Sequence, residues 1–155
     1  MKIGVIADTH NYLPGPVFEI FSGVDLIIHA GDIGSENILS ELKTIAPVKA
    51  VFGNMDHYPI VSNLKRMEIF QLEECMICLT HIIGTHKTFS FDLYKQNLKV
   101  DAVIHGHTHR AENILFNRIH FFNPGSISQP RSGSRGSAGI LKIVGREINF
   151  EINYI

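Results

Sequence analysis

Short apolar runs that stop at polar, glycine-containing turns dominate the first two-thirds of the chain. Residues 2–7 run apolar and stop at Asp8, residues 26–30 stop at Gly31-Asp32, and residues 48–52 stop at Gly53-Asn54. Each run has the length of a buried strand. Between them, residues 14–21 read as a short helix, and residues 35–45 place Ile38, Leu39, Leu42 and Ile45 on one helical stripe. Strands alternating with helices predict parallel βαβ units. The later pattern is different. Residues 68–73 and 75–80 predict a hairpin, residues 89–97 a helix, and residues 102–105 another buried strand. Residues 112–116 and 119–123 pair through Asn117-Arg118, and residues 138–144 and 147–153 through Gly145-Arg146. The chain thus reads as α/β at the start and antiparallel at the end, which two facing sheets flanked by helices accommodate. The length of 155 residues fits one domain, with no internal repeat or interdomain linker. The serine-glycine stretch 131–137 predicts a mobile loop.

Composition narrows the class. Hydrophobic residues make up 45% and charged residues 19%, enough for a core that needs no disulfide staple. The two cysteines form one C-x-x-C, but Cys75 and Cys78 lie in an apolar strand and point to opposite faces. Free thiols suit a reducing cytoplasm. The net charge of −1 carries no basic stripe of a nucleic-acid binder. The opening apolar run is too short for a signal peptide or a membrane span. The outlier is histidine, at nine residues.

The polar residues that follow the strands are of metal-binding type. The first strand delivers Asp8-Thr9-His10, the second Gly31-Asp32 and the third Gly53-Asn54-Met55-Asp56-His57. The run ending at Thr80 delivers His81, and the 102–105 strand leads into Gly106-His107-Thr108-His109. Carboxyl ends of parallel strands lie along one edge, where ligands bind. Carboxylates gathered there repel and lose hydration. Divalent cations reverse that balance, and oxygen and nitrogen donors suit manganese, iron, zinc or nickel. Singly, Asp8 could cap a turn, Asp32 and Asn54 could be turn residues, and His81 a loop histidine. Together they specify far more than any one does.

In combination these motifs resemble the calcineurin-like metallophosphoesterases. Asn123-Pro124-Gly125-Ser126 resembles the N-P-G-S of the small YfcE/MJ0936-type phosphodiesterase branch, and the likeness runs from residue 2 to about residue 126. The resemblance implies a four-layer α/β/β/α sandwich of two mixed sheets. It implies that Asp8, His10, Asp32 and His109 hold one metal and that Asp32, Asn54, His81 and His107 hold a second, with Asp32 bridging. Asp32, Asn54 and His107 are then the catalytic residues, and Asn123, Gly125 and Ser126 are expected to meet the substrate phosphate. A hydroxide between the ions would attack phosphorus in line. Manganese is the first choice of ion, with nickel, iron, zinc or magnesium also fitting. The expected substrate is a small phosphodiester or nucleotide-type molecule.

Two departures from the family pattern matter. Many relatives carry a leaving-group histidine after Gly-Asn; here Met55 cannot donate a proton, which favours diesters or activated esters over monoesters. His57, two residues on, reads as a surface turn histidine, or alternatively as a substitute for that leaving-group acid. Ile82-Ile83 follow His81 where the family has glycine, so Gly84, Thr85 and His86 are set aside as substrate contacts and a narrower cleft is expected.

Elsewhere, His29 and His105 read as structural, His105 alternatively as a group orienting a ligand. His120 reads as a hairpin surface residue, Asp56 as a turn residue or a prop, and Arg131 and Arg135 as solvated rather than phosphate-clamping. Two competing functions are a non-catalytic interaction module of the same fold, as in a retromer subunit, and a dinucleotide-binding domain. The intact ligand set weighs against the first. The absence of G-x-G-x-x-G in the 7–11 turn weighs against the second. A late edge strand, residues 147–153, could pair subunits into a homo-oligomer.

Overall fold

The computed structural model describes residues 1–131 and 133–155; Ser132, within the stretch expected to be mobile, lies outside the described residues. In chain order the elements are β1 (Lys2–Ile6), α1 (Pro16–Ile20), β2 (Leu26–His29), α2 (Glu36–Lys43), β3 (Val48–Ala50), α3 (Ile60–Asn63) and β4 (Met67–Leu72). They continue with β5 (Cys75–Thr80), α4 (His86–Lys95), β6 (Ala102–Ile104), β7 (Ala111–Phe116), β8 (Ile119–Pro124), β9 (Ser137–Val144) and β10 (Glu147–Tyr154). Two five-stranded sheets result, ordered β10-β9-β1-β2-β3 and β4-β5-β6-β8-β7. Both are mixed, with a parallel trio (β1-β2-β3 and β5-β6-β8) and antiparallel partners.

Register explains where the site must be. Ile6 lies beside His29, and His29 beside Ala50, so three parallel strands stop level with one another. In the second sheet Leu79 lies beside Ile104, and Ile104 beside Phe122. The segments after all six strands therefore emerge together.

Three apolar layers hold the sheets. Ile3, Val5, Ile28 and Leu141 of the first sheet meet Ile77, Leu79, Ile104 and Phe122 of the second between them. Val17, Phe21, Ile38 and Leu42 cover the outer face of the first sheet, and Leu93 covers Val103 and Phe121 on the outer face of the second. This is the four-layer α/β/β/α sandwich. Phe21 lies so close over β1 that a Cβ at Gly4 would meet its ring at 2.8 Å. Burying such a ring contributes about 2–3 kcal/mol. Cys75 faces the inter-sheet core and Cys78 the helix side, as strand alternation requires.

Boundaries depart from the sequence reading where capping decides. The helix expected at residues 89–97 begins three residues earlier, at His86, because Thr85 and Thr88 form a capping box. The first helix begins at Pro16, a favoured first-turn residue. The single turn α3 was not expected, since four residues are too few to show a period. Asn117 and Arg118 both have positive φ (50° and 65°), the backbone a two-residue hairpin loop needs.

Candidate metal centre

The first sheet supplies its polar groups from strained turns. Asp8, His10 and Asp32 have φ of 52°, 43° and 54°, a region unfavourable for residues bearing Cβ. Bonds between the turns hold them there. Asp8 N–H donates to Gly31 O at 3.0 Å, His10 N–H to Asp32 O at 3.0 Å, and Thr9 Oγ1 to Ile33 O at 2.8 Å. Beneath them His29 is fully buried and accepts from Gly31 N–H at Nδ1, 3.2 Å away. Its proton therefore sits on Nε2, which donates to Thr9 Oγ1 at 2.9 Å. Burial pushes the His29 pKa down to about 3, so the ring is a neutral strut.

Asp56 ties two of these turns together. Oδ1 accepts from Ile33 N–H (2.8 Å) and Gly34 N–H (2.9 Å), and Oδ2 accepts from Gly53 N–H (2.8 Å). Gly53 lies directly against Asp32, and a Cβ there would collide with the Asp32 carboxylate. Asp32 Oδ1 also accepts from Met55 N–H at 2.8 Å.

The second sheet brings imidazoles from the opposite side. Nδ1–H of His81, just after β5, donates to Ala30 O at 2.7 Å, and that of His109 donates to Gln129 O at 2.6 Å. Both rings thereby turn Nε2 toward the cleft. His107 N–H donates to Asp8 Oδ2 at 3.1 Å, locking the 106–109 loop onto the first sheet. Gly106 is needed at this seam, because a Cβ would meet Ala7 Cβ and Asp8 Oδ2 at 2.9 Å.

The result is one cluster. His109 Nε2 lies 3.3 Å from Asp8 Oδ1 and 3.3 Å from His10 Nε2, and His10 Nε2 lies 3.9 Å from Asp32 Oδ2. One ligand atom each from Asp8, His10, Asp32 and His109 fits within 4.8 Å. On the other side His81 Nε2 is 3.3 Å from Asp32 Oδ2 and 3.1 Å from Asn54 Oδ1, which is 2.9 Å from His107 Nδ1. Ligand atoms around a first-row ion are spaced by about 3 Å. Asp8 Oδ1 is buried and has no hydrogen-bond partner, although imidazole nitrogens surround it. An orphaned buried carboxylate oxygen among nitrogen donors fits a divalent cation and little else. Without an ion, burial raises the Asp8 pKa to about 7, against the opposing pull of His81. Burial also pushes Asp32 up, but His81 and Met55 N–H outweigh it and leave its carboxyl below the usual range. Burial lowers His81, yet its bond to Asp32 and the charge of Asp8 raise it above the ordinary value.

The family model described as the calcineurin-like phosphoesterase superfamily domain matches residues 1–146. The chain belongs to that superfamily. A probable metallophosphoesterase of Methanothermobacter thermautotrophicus is 38% identical over 98% of this chain and 91% of its own. The phosphodiesterase YfcE of Escherichia coli is 29% identical, covering 91% of this chain and 87% of its own. A solved single mutant of Vps29 from Entamoeba histolytica superposes with a TM-score of 0.81 at 21% identity, covering 100% of this chain and 99% of its own, a likeness of fold alone.

Three residues of this calcineurin-like phosphoesterase stand differently from the sequence expectation. Asn123, Gly125 and Ser126, expected to meet the phosphate, lie buried under the ligand loops. Asn123 Nδ2 donates to Gly106 O (2.9 Å) and Thr108 Oγ1 (3.0 Å), and its Oδ1 accepts from Gly125 N–H (2.9 Å). Ser126 Oγ donates to Asp8 O at 2.8 Å, where Ser128 Oγ also donates at 3.0 Å. These bonds prop the loops that carry Asp8, His107 and His109. Met55 and His57 are exposed at the rim. A cleft of about 240 Å³ beside the cluster is lined by Asn54, Arg66, Thr80, His81 and Ile82. A larger cavity of about 790 Å³ between α4 and the β7–β8 turn holds none of the seven ligand candidates. The sequence left the role of Asp56 open between turn and prop, although an aspartate two residues after Gly-Asn was a usable signal. It gave none for Ser128 or Glu112.

Proposed function

We propose that this metal-dependent phosphoesterase works with two divalent ions on small phosphodiesters or nucleotide-type substrates. The observation that carries this reading is Asp8 Oδ1, buried and unpartnered with Nε2 of His109 3.3 Å away. Asp8, His10, Asp32 and His109 would hold one ion, and Asn54, His81 and His107 the other, with Asp32 common to both. Bound there, the ions lower the pKa of an attacking water and neutralise the phosphoryl oxygens of an in-line displacement. Asp32 suits the shared role because Met55 N–H fixes one oxygen while the other faces both His10 and His81. Asn54 adds a neutral oxygen donor, which limits the negative charge gathered in the cleft. Met55, where an acid would assist the leaving group, has no proton to give, so diesters and activated esters are favoured.

Manganese is the proposed resident ion on the mixture of oxygen and nitrogen donors, with nickel, iron, zinc or magnesium as substitutes. Buried, unpaired Cys75 and Cys78 suit a reducing cytoplasm. The edge strand β10 offers a second copy a place to pair. The likeness to Vps29 raises the alternative of an interaction module, but all seven ligand positions carry ligand-type side chains here.

The test is a screen of phosphate mono- and diesters with chelator-stripped protein reloaded with each ion. Hydrolysis of diesters is expected with manganese, and Asp32→Ala should lose turnover and bound metal together. Full activity in Asp32→Ala would sink the two-ion reading.

A further inference from the structure

Outside the cluster, His86 at the start of α4, His105 after β6 and Glu112 on β7 converge on the second sheet. We infer that these three residues form a separate binding site for a zinc-class divalent ion, distinct from the phosphoesterase centre. Glu112 Oε1 lies 2.7 Å from His86 Nε2 and 3.2 Å from His105 Nε2, and one ligand atom from each residue fits within 4.8 Å. Neighbouring ligand atoms around tetrahedral zinc are about 3.3 Å apart, so the His105–Glu112 spacing fits as it stands and the 2.7 Å His86–Glu112 hydrogen bond opens when an ion enters. His105 is buried, whereas about a quarter of the His86 and Glu112 side chains is exposed (27% and 26%), which leaves an entry and a place for water.

Proton accounting distinguishes this trio from a plain hydrogen-bonded group. Gly125 N–H donates to Asn123 Oδ1, so Asn123 Nδ2 is the amide nitrogen. Its two hydrogens are taken by Gly106 O and Thr108 Oγ1. Its contact with His105 Nδ1 is longer, at 3.4 Å. With both amide hydrogens on those shorter bonds, a hydrogen on His105 Nδ1 points toward Gly106 O, at 3.4 Å. That leaves the Nε2 lone pair aimed at the Glu112 carboxylate, two acceptors 3.2 Å apart. In this tautomer a metal ion fits between the two acceptors, whereas in the other tautomer Nε2–H donates to Glu112 directly. The metal is favoured because the arrangement repeats that of His81 and His109, whose Nδ1–H groups donate to carbonyls while Nε2 faces the other centre. His86 adds a second imidazole, and its ring stands edge-on to Phe121 at 4.9 Å. Two imidazoles and one carboxylate, with room for water, suit zinc and neighbouring first-row ions. An ion there would pin α4 and β7 to the loop that carries His107 and His109.

The analogy with His81 and His109 rests on the two-ion reading, but the ligands are separate and the experiment distinguishes the two. Full-length protein is stripped with chelator, loaded with zinc, desalted and assayed for metal and protein, with melting curves checking the fold. His86→Ala should hold about one equivalent less than the parent. Asp32→Ala should retain zinc that the Asp32→Ala/His86→Ala double variant loses. Glu112→Gln, which keeps the shape but not the charge, should weaken this zinc by about tenfold or more. If Asp32→Ala loses nothing while His86→Ala loses one equivalent, this site stands and the two-ion reading fails. Unchanged zinc content in His86→Ala, or equal content in Asp32→Ala and the double variant, overturns it and leaves the trio as a hydrogen-bonded group.

Discussion

Asp56→Asn tests whether the buried carboxylate between the ligand turns holds them in place. Asp56 accepts three backbone N–H bonds of 2.8–2.9 Å, from Ile33, Gly34 and Gly53. Asparagine can keep at most the two on one oxygen, and its NH₂ must then face the third N–H. One buried donor left unsatisfied costs about 1–3 kcal/mol, and the remaining bonds lose their charge assistance. The sum is about 2–4 kcal/mol, a large share of the roughly 5–15 kcal/mol that stabilises a typical domain. Asp56→Ala, which loses all three bonds, should cost about 4–6 kcal/mol and come close to unfolding the protein. The assay is urea denaturation of chelator-treated protein with an unchanged m-value. A parallel manganese titration follows activity, since misplaced Asp32 and Asn54 should weaken metal binding and excess metal should partly restore turnover. A change in stability below about 0.5 kcal/mol in Asp56→Asn, the size of a neutral surface substitution, would refute the reasoning.

Two other perturbations follow from the same geometry. Met55→His places a proton donor at the exposed rim beside Asn54 and should raise monoester turnover relative to diester turnover; an unchanged ratio counts against the leaving-group argument. In chelator-treated protein, stability should peak near the ordinary histidine value of 6.5. Below it His29, His10 and His107, all with lowered pKa, resist protons that the unfolded chain accepts, so stability rises with pH despite the opposing effect of Asp8. Above it Asp8 (about 7) and His81, both raised, retain protons that the unfolded chain has lost, so stability falls as pH climbs through their folded values. Urea midpoints that rise steadily from pH 6 to 8 would contradict this.

Much of the architecture was legible because strand ends are abrupt. Apolar runs stop at Asp8, Gly31 and Gly53, and level parallel strands place whatever follows on one edge. The glycines were legible as turn residues, but not for their second reason, that a carboxylate from another segment, Asp32 or Asp8, lies against Gly53 and Gly106. The burial of Asn123, Gly125 and Ser126 was not legible, because a motif does not say whether its polar groups face the cleft or the interior. Their partners, Gly106 O, Thr108 Oγ1 and Asp8 O, are set only by tertiary packing. The His86–Glu112 contact joins residues 26 positions apart that carry no shared pattern. The start of α4 was missed for a smaller reason, since Thr85 and Thr88 cap it with side-chain bonds rather than with an apolar stripe.

The proposed ligands come from both halves of the sandwich. Asp8, His10, Asp32 and Asn54 follow strands of one sheet, while His81, His107 and His109 follow strands of the other. Ions seated among them would rivet the halves at their shared rim as well as drive hydrolysis. Each ion adds stability that grows with the logarithm of its free concentration. A cell starved of the metal would therefore hold a protein that is idle and also prone to gape along this seam, so its lifetime and its activity would answer to the same supply.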